Sequence, residues 1–359
     1  MDRNESQLYI GEVAGGRYEI VEFLGSGKFS GVFIGRDRAG RDVAVKVLSL
    51  GHSGSPEAVF EFEEDVRLLK LLSARSNVVD ILDDGMLTLE ITVAAVPAPT
   101  PVRIAVPYMV LELAVGGLDR LLLRRHEVSW VDKFVILREA VKGVHQMHCE
   151  RVVHRDLKAD NVLLFDRGPV KAKVTDLGRS RNMREAPRFA RAYEVPRGML
   201  AFAPPELLWR RGSDDSICGL RADLYLLGSL LFEVVTGQGV TAMVFPNPRA
   251  ILDYAESLSA ADLDREYLER LPDMREQYEH AYRIFEAELP RAVAREATRL
   301  LRQLTDPMPE ARELKRPFRN LPTRWDLNWL LQKIDILIKV LTVSEKPPRR
   351  YRRRKVMKP

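Results

Sequence analysis

The chain has 359 residues, 46% of them hydrophobic and 30% charged, with a formal net charge of +5. That length admits one large two-lobed domain or two ordinary ones, with enough apolar material for a sizeable core. It holds no run of about 18 apolar residues, which excludes a membrane-spanning helix, and residues 1–17 lack the apolar stretch of a signal peptide. Two cysteines, Cys149 and Cys218, are too few for a disulfide framework and point to a reducing, cytoplasmic setting. Charge is uneven. Residues 344–359 hold eight Lys or Arg and one Glu, so this tail is +7 and residues 1–343 sum to −2.

In chain order, residues 18–24 alternate in polarity and meet Gly25-Ser26-Gly27-Lys28-Phe29-Ser30-Gly31-Val32. This predicts a strand, a glycine turn and a second strand over 32–36. Glycines let a backbone bend and approach phosphates closely. Val43-Ala44-Val45-Lys46 reads as a further strand. Residues 57–72 carry Phe62, Val66 and Leu69 at helical spacing. A strand region follows at 77–85. Two apolar runs then flank Pro97-Ala98-Pro99-Thr100-Pro101, with another proline at 107. We expect an enlarged hairpin whose prolines favour an extended tip outside the ladder. Residues 108–114 form a strand, and Gly116-Gly117 releases the chain into its second half.

There, residues 131–148 form an amphipathic helix ending just before His154-Arg155-Asp156-Leu157-Lys158-Ala159-Asp160-Asn161. Residues 162–164 and 171–174 predict two short strands joined at Asp166-Arg167-Gly168. Asp176-Leu177-Gly178 follows, then an arginine-rich segment, then Ala203-Pro204-Pro205-Glu206. Residues 226–236 read as an apolar core helix. Residues 247–305 are charged and helix-rich, with helices expected over 262–270, 275–288 and 291–304. Residues 326–341 carry an apolar stripe with Asp335 and Lys339 opposite, which suits a closing helix. The tail is expected to be disordered, and its basic run suits nucleic acid, anionic lipid or an acidic protein partner.

In this order and spacing the motifs resemble those of the eukaryotic-type (Hanks-type) serine/threonine protein kinases over about residues 18–341. The resemblance implies an α+β, two-lobed protein kinase fold: a small antiparallel-sheet N-lobe with helix αC (18–113) and a larger, mainly helical C-lobe (114–343). It also implies ATP and Mg²⁺, and transfer of the γ-phosphoryl group to Ser/Thr hydroxyls of a protein substrate. Gly25, Ser26, Gly27, Lys28, Phe29, Ser30 and Val32 would cover the phosphates, with Ser30 standing in for the family's third glycine. Lys46 would contact the α- and β-phosphates. Asp156 would orient the substrate hydroxyl and accept its proton, with Lys158 beside the transferred phosphate. Asn161 and Asp176 would hold metal. Ala44 would lie in the ATP site, the backbones of Glu112 and Ala114 would meet adenine, and Leu111 would guard the back of that pocket. Glu206 would pair with a buried arginine, for which Arg316 is the match, and Asp223 would brace the catalytic loop.

Several positions depart from the pattern. Asp65 stands where the family places the glutamate that pairs with the lysine; being one methylene shorter, it predicts a longer or water-bridged contact, with Glu61 and Glu64 as rivals. Met199 occupies the place of a threonine that bonds the catalytic aspartate and lysine, a bond methionine is not expected to make. Between Asp176 and Glu206 the only hydroxyls are Ser180 and Tyr193, amid six arginines, so threonine phosphorylation is not expected to switch the segment. Asp65 and Met199 motivate an alternative, a kinase-fold scaffold with little or no turnover. Lys158, Glu206 and the long segment before it argue against a small-molecule kinase of the aminoglycoside phosphotransferase type. A nucleic-acid-associated regulator located by its tail is a third reading. The Ala- and Arg-rich composition hints at a bacterial source.

Overall fold

The computed structural model describes residues 1, 3–93, 100–166, 170–186, 199–212, 216–313 and 325–345. Alternation builds its small lobe. In strand β4 (Asp42–Leu48), Val43, Val45 and Val47 join one apolar cluster while Ala44 and Leu48 join another, because successive strand residues point to opposite faces. Lys46 therefore shares the inner face with Ala44 and Leu48. The outer face is closed by the N-terminal segment: helix α1 (Arg3–Gln7) and β1 (Val13–Ala14), which pairs with β2 (Tyr18–Ser26). Tyr9 is fully buried there, its ring 5.4 Å from that of Phe33. Glu5 Oε1 accepts from the Leu50 N–H and the Ser49 hydroxyl, both at 2.6 Å. Residues 1–17, which precede the stretch that carries the resemblance, thus complete the outer core of the sheet.

Strands β3 (Ser30–Asp37), β5 (Ile81–Val93) and β6 (Thr100–Leu111) complete the antiparallel order β1-β2-β3-β4-β6-β5. Helix α2 (Pro56–Leu71), the αC expected over 57–72, starts at Pro56 and is capped by Ser55, whose hydroxyl accepts from Ala58 N–H. The enlarged hairpin is present, paired from Ile81 with Leu111 to Val93 with Thr100. Its prolines differ from expectation: Pro101 and Pro107 lie inside the ladder, opposite Thr92 and Met86. Because β4 reaches β6 only over Tyr108–Leu111, both prolines sit where β6 has a partner on one side alone, as an edge tolerates. Pro97 and Pro99 lie outside the described residues.

The second lobe is mainly helical, as the resemblance implied. Helix α3 (Leu118–Leu122) follows the two-residue strand β7 (Gly116–Gly117). Then come α4 (Trp130–Cys149), β8 (Val152–Val153), β9 (Val162–Asp166), β10 (Val170–Val174), β11 (Arg181–Asn182) and the short α5 (Pro205–Leu208). The buried helix α6 (Ser216–Thr236) forms the axis, packed against α4, α7 (Val240–Val244), α9 (Ala260–Glu288) and α10 (Arg291–Leu304), while α8 (Pro248–Glu256) packs on α5 and α11 (Asn328–Ser344) on α4 and α10. The two helices expected over 262–270 and 275–288 are one, running through Pro272. An interior proline costs roughly 3 kcal/mol. Tyr267 before it and Met274, Tyr278, Tyr282 and Phe285 after it are all buried, and Phe285 stacks on Phe232 of α6 with centroids 5.8 Å apart, so packing outweighs the lost bond.

Glu206 does pair with a buried arginine, but it is Arg312. The two meet in a fork at 2.6 and 2.7 Å, while Arg316 lies outside the described residues. Arg312 Nε also donates to the Asp306 carbonyl at 2.8 Å. That contact fixes the turn after α10, so the partner comes six residues after Asp306 rather than in the Arg-Pro pair.

Helix α6 also holds the 154–161 loop. Asp223 accepts from the backbone N–H groups of His154 and Arg155, each at 2.8 Å, and lies 2.8 Å from His148 Nε2. Burial alone would raise the Asp223 carboxyl, but His148 and the Arg155 N–H hold it below its ordinary value. Ten residues on, Glu233 accepts from Ala159 N–H at 2.9 Å. Burial, with the nearby Asp160 charge, pushes Glu233 up to about 7.

Two predictions follow from this packing. Tyr9→Ala removes a buried ring and is expected to cost roughly 3 kcal/mol, read as a lowered thermal midpoint; an unchanged midpoint would show that residues 1–17 are no part of the core. Folded Glu233 keeps its proton to about pH 7, against an ordinary value of 4.5, so its contribution to stability is full below about 4.5 and is lost as pH rises through 7. Glu233→Gln still accepts from Ala159 but cannot ionise. Urea unfolding at pH 5 and pH 8 should therefore show the variant losing roughly 2 kcal/mol less than wild type over that interval; equal losses would sink the assignment.

Candidate active site between the lobes

The cleft is assembled from both lobes. The β2–β3 turn is closed by Gly27 N–H donating to Ser30 O at 2.9 Å. At Gly25 an added Cβ would meet nothing within 4 Å, and at Gly27 only the Ser30 hydroxyl at 3.6 Å, so the turn leaves room for a ligand. Lys28, Phe29 and Ser30 line a cavity of about 530 Å³ together with Lys46, Asp65, Asp156, Lys158, Asp176, Arg179 and Met199. Lys28 lies over the Phe29 ring, 4.1 Å from its centroid.

Strand register gathers the apolar candidates next to this cavity. Val32 is paired with Lys46, and Ala44 with Leu111. Cross-strand partners share a face, so Val32, Ala44 and Leu111 line up beside Lys46. The hinge beyond Leu111 is braced from below. Glu112 Oε1 accepts from Asp80 N–H at 2.9 Å and from the ammonium of Lys173, a buried lysine that also reaches Asp80 at 2.9 Å. Glu112 N–H donates to Asp80 O at 3.2 Å. Ala114 follows where the chain leaves for β7, and the next amide, Val115 N–H, donates to Leu164 O at 2.9 Å.

The central contact is direct, not the longer or bridged one expected. Lys46 Nζ lies 2.7 Å from Asp65 Oδ2 and 3.0 Å from Asp176 Oδ1. The second oxygen of Asp65 accepts from Leu177 N–H at 2.8 Å. The shorter side chain reaches Lys46 from a buried position on α2, Asp65 being only 2% exposed. The rivals point elsewhere: Glu64 bonds Arg67 at 3.0 Å, and Glu61 lies 3.5 Å from Arg179. Burial would strip Lys46 of its proton, but the Asp176 and Asp65 charges more than reverse this and hold it protonated. Lys46 in turn holds the Asp176 carboxyl below its ordinary value. Burial raises Asp65, against the pull of Lys46.

In the lower wall, Asn161 Nδ2 donates to the Asp156 carbonyl at 2.7 Å, and Thr175 N–H donates to Asn161 O at 3.0 Å. The first bond uses the amide nitrogen of Asn161 and leaves its side-chain oxygen as the ligand on offer. Asp176 is held at φ 61 with its carboxylate 48% exposed. One amide oxygen and one carboxylate, tied together through Thr175, fit a hard cation that keeps several waters. Asp156 is buried, and burial raises its carboxyl, against the Arg179 and Lys158 charges; Arg179 Nη1 lies 3.0 Å from Asp156 Oδ2. Met199 does accept a contact: Lys158 Nζ approaches its sulfur at 3.3 Å and Asp160 at 2.8 Å. A thioether is a weak acceptor, so this seat is softer than a hydroxyl's.

Sequence reasoning missed Arg179, Lys173 and Glu233. Arg179 was visible only as one of six arginines in its segment. Lys173 and Glu233 sit in apolar contexts where nothing in the pattern tells a buried charge from an exposed one.

Residues 18–314 match the family model described as protein kinase domain. The chain is 31% identical over 314 residues to CBL-interacting protein kinase 4 of Oryza sativa subsp. japonica, covering 84% of this chain and 56% of that protein. It is 27% identical over 234 residues to the probable serine/threonine-protein kinase PknB of Lactococcus lactis subsp. lactis, covering 64% and 33%. To ribosomal protein S6 kinase alpha-4 of Mus musculus it is 33% identical over 222 residues, covering 60% and 25%. The chain spans between a quarter and just over half of the length of these relatives. A match that runs from the first long strand past α10, over a cleft of this construction, leaves no other assignment: the chain belongs to the protein kinase family, in its eukaryotic-type (Hanks-type) branch.

Proposed function

We propose that the protein transfers the γ-phosphoryl group of ATP to Ser/Thr hydroxyls of protein substrates. The observation that carries this is Lys46 held between Asp65 and Asp176 at 2.7 and 3.0 Å, in one cavity with Asp156. Phosphoryl transfer asks for positioning and charge more than for covalent chemistry. Lys46 offers a fixed positive charge to the α- and β-phosphates, under the cover of the 25–32 turn. The slot beside Val32, Ala44 and Leu111 takes the purine, met by the Glu112 carbonyl and the Ala114 N–H. Asp156 orients the substrate hydroxyl and takes its proton, and Lys158 faces the transferred group. Mg²⁺, when bound by Asn161 and Asp176, would neutralise charge on the phosphate oxygens.

The scaffold reading rested on Asp65 and Met199. Asp65 contacts Lys46 directly and Met199 contacts Lys158, so neither observation favours it. We take the working unit to run from the N-terminal segment through α11, which is tied to α4 by Arg138 and Asp335 at 2.6 Å. Both cysteines are free thiols, which suits a reducing, cytoplasmic setting. Among the described residues no helix is long and apolar enough to cross a membrane. A role for the basic tail in holding nucleic acid or an acidic partner falls on residues 346–359, outside those described.

Ser180 is fully buried, its hydroxyl donating to the His154 carbonyl at 3.1 Å, so a phosphate there would break the seat of the catalytic loop. We read its described part, residues 176–186, as ordered by its own contacts: Arg67 to Glu185 at 2.9 Å, Arg184 to Glu150 at 3.3 Å, and the β11–β8 ladder; Tyr193 lies outside the described residues.

Incubation with radiolabelled ATP, Mg²⁺ and a generic protein substrate should label both the substrate and the kinase. Asp156→Asn should lower the rate by at least about a hundredfold; a variant as fast as wild type would end this reading. Phosphatase treatment of the purified protein should leave labelling unchanged. A stoichiometric Ser180 phosphate found by mass spectrometry in the active form, or activity lost with its removal, would overturn the account of the segment.

A further inference from the structure

The turn over residues 25–31 is only loosely held by its own strands. The β2–β3 pairing that leads into it is irregular between Phe23 and Gly25, and at its tip the ion pair of Lys28 with Glu57, at 3.5 Å, is exposed on both sides and so weak. Its firmer hold comes from β4. The β3–β4 ladder is paired from Arg36 with Asp42 to Ser30 with Leu48, and a further bond carries it into the turn: Ser49 N–H donates to Phe29 O at 2.9 Å. A bond at the end of a ladder frays unless the chain beyond it is fixed. Here that chain is fixed from the outer face of the sheet. Glu5 Oε1 accepts from the Ser49 hydroxyl and the Leu50 N–H, both at 2.6 Å. The Tyr9 hydroxyl lies 3.2 Å from Leu50 N and 3.4 Å from Leu48 O. The N-terminal segment is itself well seated: Ser6, Tyr9 and Ala14 are buried, Gly11 N–H donates to Ile20 O at 2.8 Å, and Ile20 N–H donates to Glu12 O at 2.9 Å.

We infer that Glu5 is a positioning residue for the phosphate-covering turn: its carboxylate, on α1, fixes the exit of β4 at Ser49 and Leu50, and Ser49 passes that position to Phe29 on the cavity wall. The consequence for ATP rests on the phosphoryl-transfer reading; the contact chain from Glu5 to Phe29 does not. Each link is at hydrogen-bond distance, and bonds to an ionised acceptor are roughly twice as strong as neutral ones. Phe29 is gripped from the same strip a second time, by the ring of His52, edge-on with centroids 5.2 Å apart. Phe29, Ser30 and Leu48 line the cavity with Lys46, so the height of Phe29 sets the space left for phosphates. Gly25 and Gly27 give the turn freedom to move, and Glu5 limits it. A turn that covers the site only part of the time weakens apparent affinity in proportion to that fraction. Asp156 and Lys158 come from the other lobe and keep their places. Loss of Glu5 should therefore act on ATP binding and on KM rather than on kcat.

The test compares the full chain as wild type, Glu5→Ala and Glu5→Gln, with Leu89→Val as a control for stability alone. Leu89 belongs to the same outer cluster as Tyr9 but lies in the β5–β6 hairpin. ATP affinity is measured by calorimetric titration with Mg²⁺ present, and amide hydrogen exchange is followed by NMR over residues 25–32 and 46–52. Glu5→Ala should weaken ATP binding about three- to tenfold and speed exchange at Ser49 and over the turn. In the labelling assay its KM for ATP should rise by the same factor, with kcat within about twofold of wild type. Glu5→Gln keeps an acceptor oxygen and should restore most of the affinity. Leu89→Val should lower the thermal midpoint and leave ATP affinity at the wild-type value. Wild-type affinity in Glu5→Ala overturns the inference. So does an equal loss in Leu89→Val, which would make the effect one of stability, and so does a fall in kcat at unchanged KM. If Glu5→Ala does not fold, Ser49→Ala, which removes one of the two bonds to the carboxylate, decides by the same readouts with a smaller loss expected. If wild type binds no ATP, the functional reading fails, and exchange at Ser49 still decides whether Glu5 holds the turn.

Discussion

The arrangement depends on one ammonium group kept charged in a mostly buried place. A lysine taken out of water loses its proton unless opposite charge holds it, and breaking a buried pair leaves an uncompensated charge costing several kcal/mol. Lys46 escapes this with two carboxylates, one from α2 and one from the turn after β10. Each element is therefore needed by the others. The alternation of β4 turns Lys46 inward, α2 must sit close enough for a short aspartate to reach, and the Asp176 turn must hold its left-handed conformation at φ 61. The Leu177 N–H on the second oxygen of Asp65 closes the triangle.

Beneath it, α6 does for the backbone what Lys46 does for side chains. The loop 154–161 has little regular structure of its own, and Arg155 is held at φ 67. Backbone N–H groups in such a loop need acceptors. Asp223 and Glu233 supply them from a helix that is otherwise almost wholly apolar. Two buried carboxylates in an apolar helix cost stability on their own account; they persist because they fix a loop that no ladder could hold. The two behave differently because their partners differ. Asp223 has a histidine and two N–H donors and stays ionised, whereas Glu233 has one N–H and a neighbouring aspartate and is pushed towards neutrality.

How far the chain could be read in advance follows from the range of each interaction. Motifs whose residues are close in sequence, such as 25–32, 43–46, 154–161 and 176–178, were legible because the chemistry they resemble demands those spacings. The two-lobed architecture was legible from their order. Asp65 was legible as a candidate, but its direct contact was not, since that depends on how closely α2 approaches the sheet. The partner of Glu206 was misplaced by four residues because a turn of variable length separates Asp306 from the arginine. Pro272 looked like a helix end because local propensity was weighed without the aromatic packing on α6. Residues 1–17 are mostly polar with scattered apolar residues and no periodic pattern, and the burial of Tyr9 depends on a face of β3 and β4 far along the chain.

The departures from the family pattern are connected through the space they share. At position 199 a thioether replaces a hydroxyl and contacts Lys158 but offers no proton to Asp156. The donor facing Asp156 comes instead from Arg179, just after the Asp176 turn. At position 65 the shorter acid meets Lys46 directly at 2.7 Å, and Glu61, one turn earlier on α2, comes within 3.5 Å of that same arginine. At Asp156, then, a charged donor from the segment after β10 stands where the family pattern would place a neutral hydroxyl.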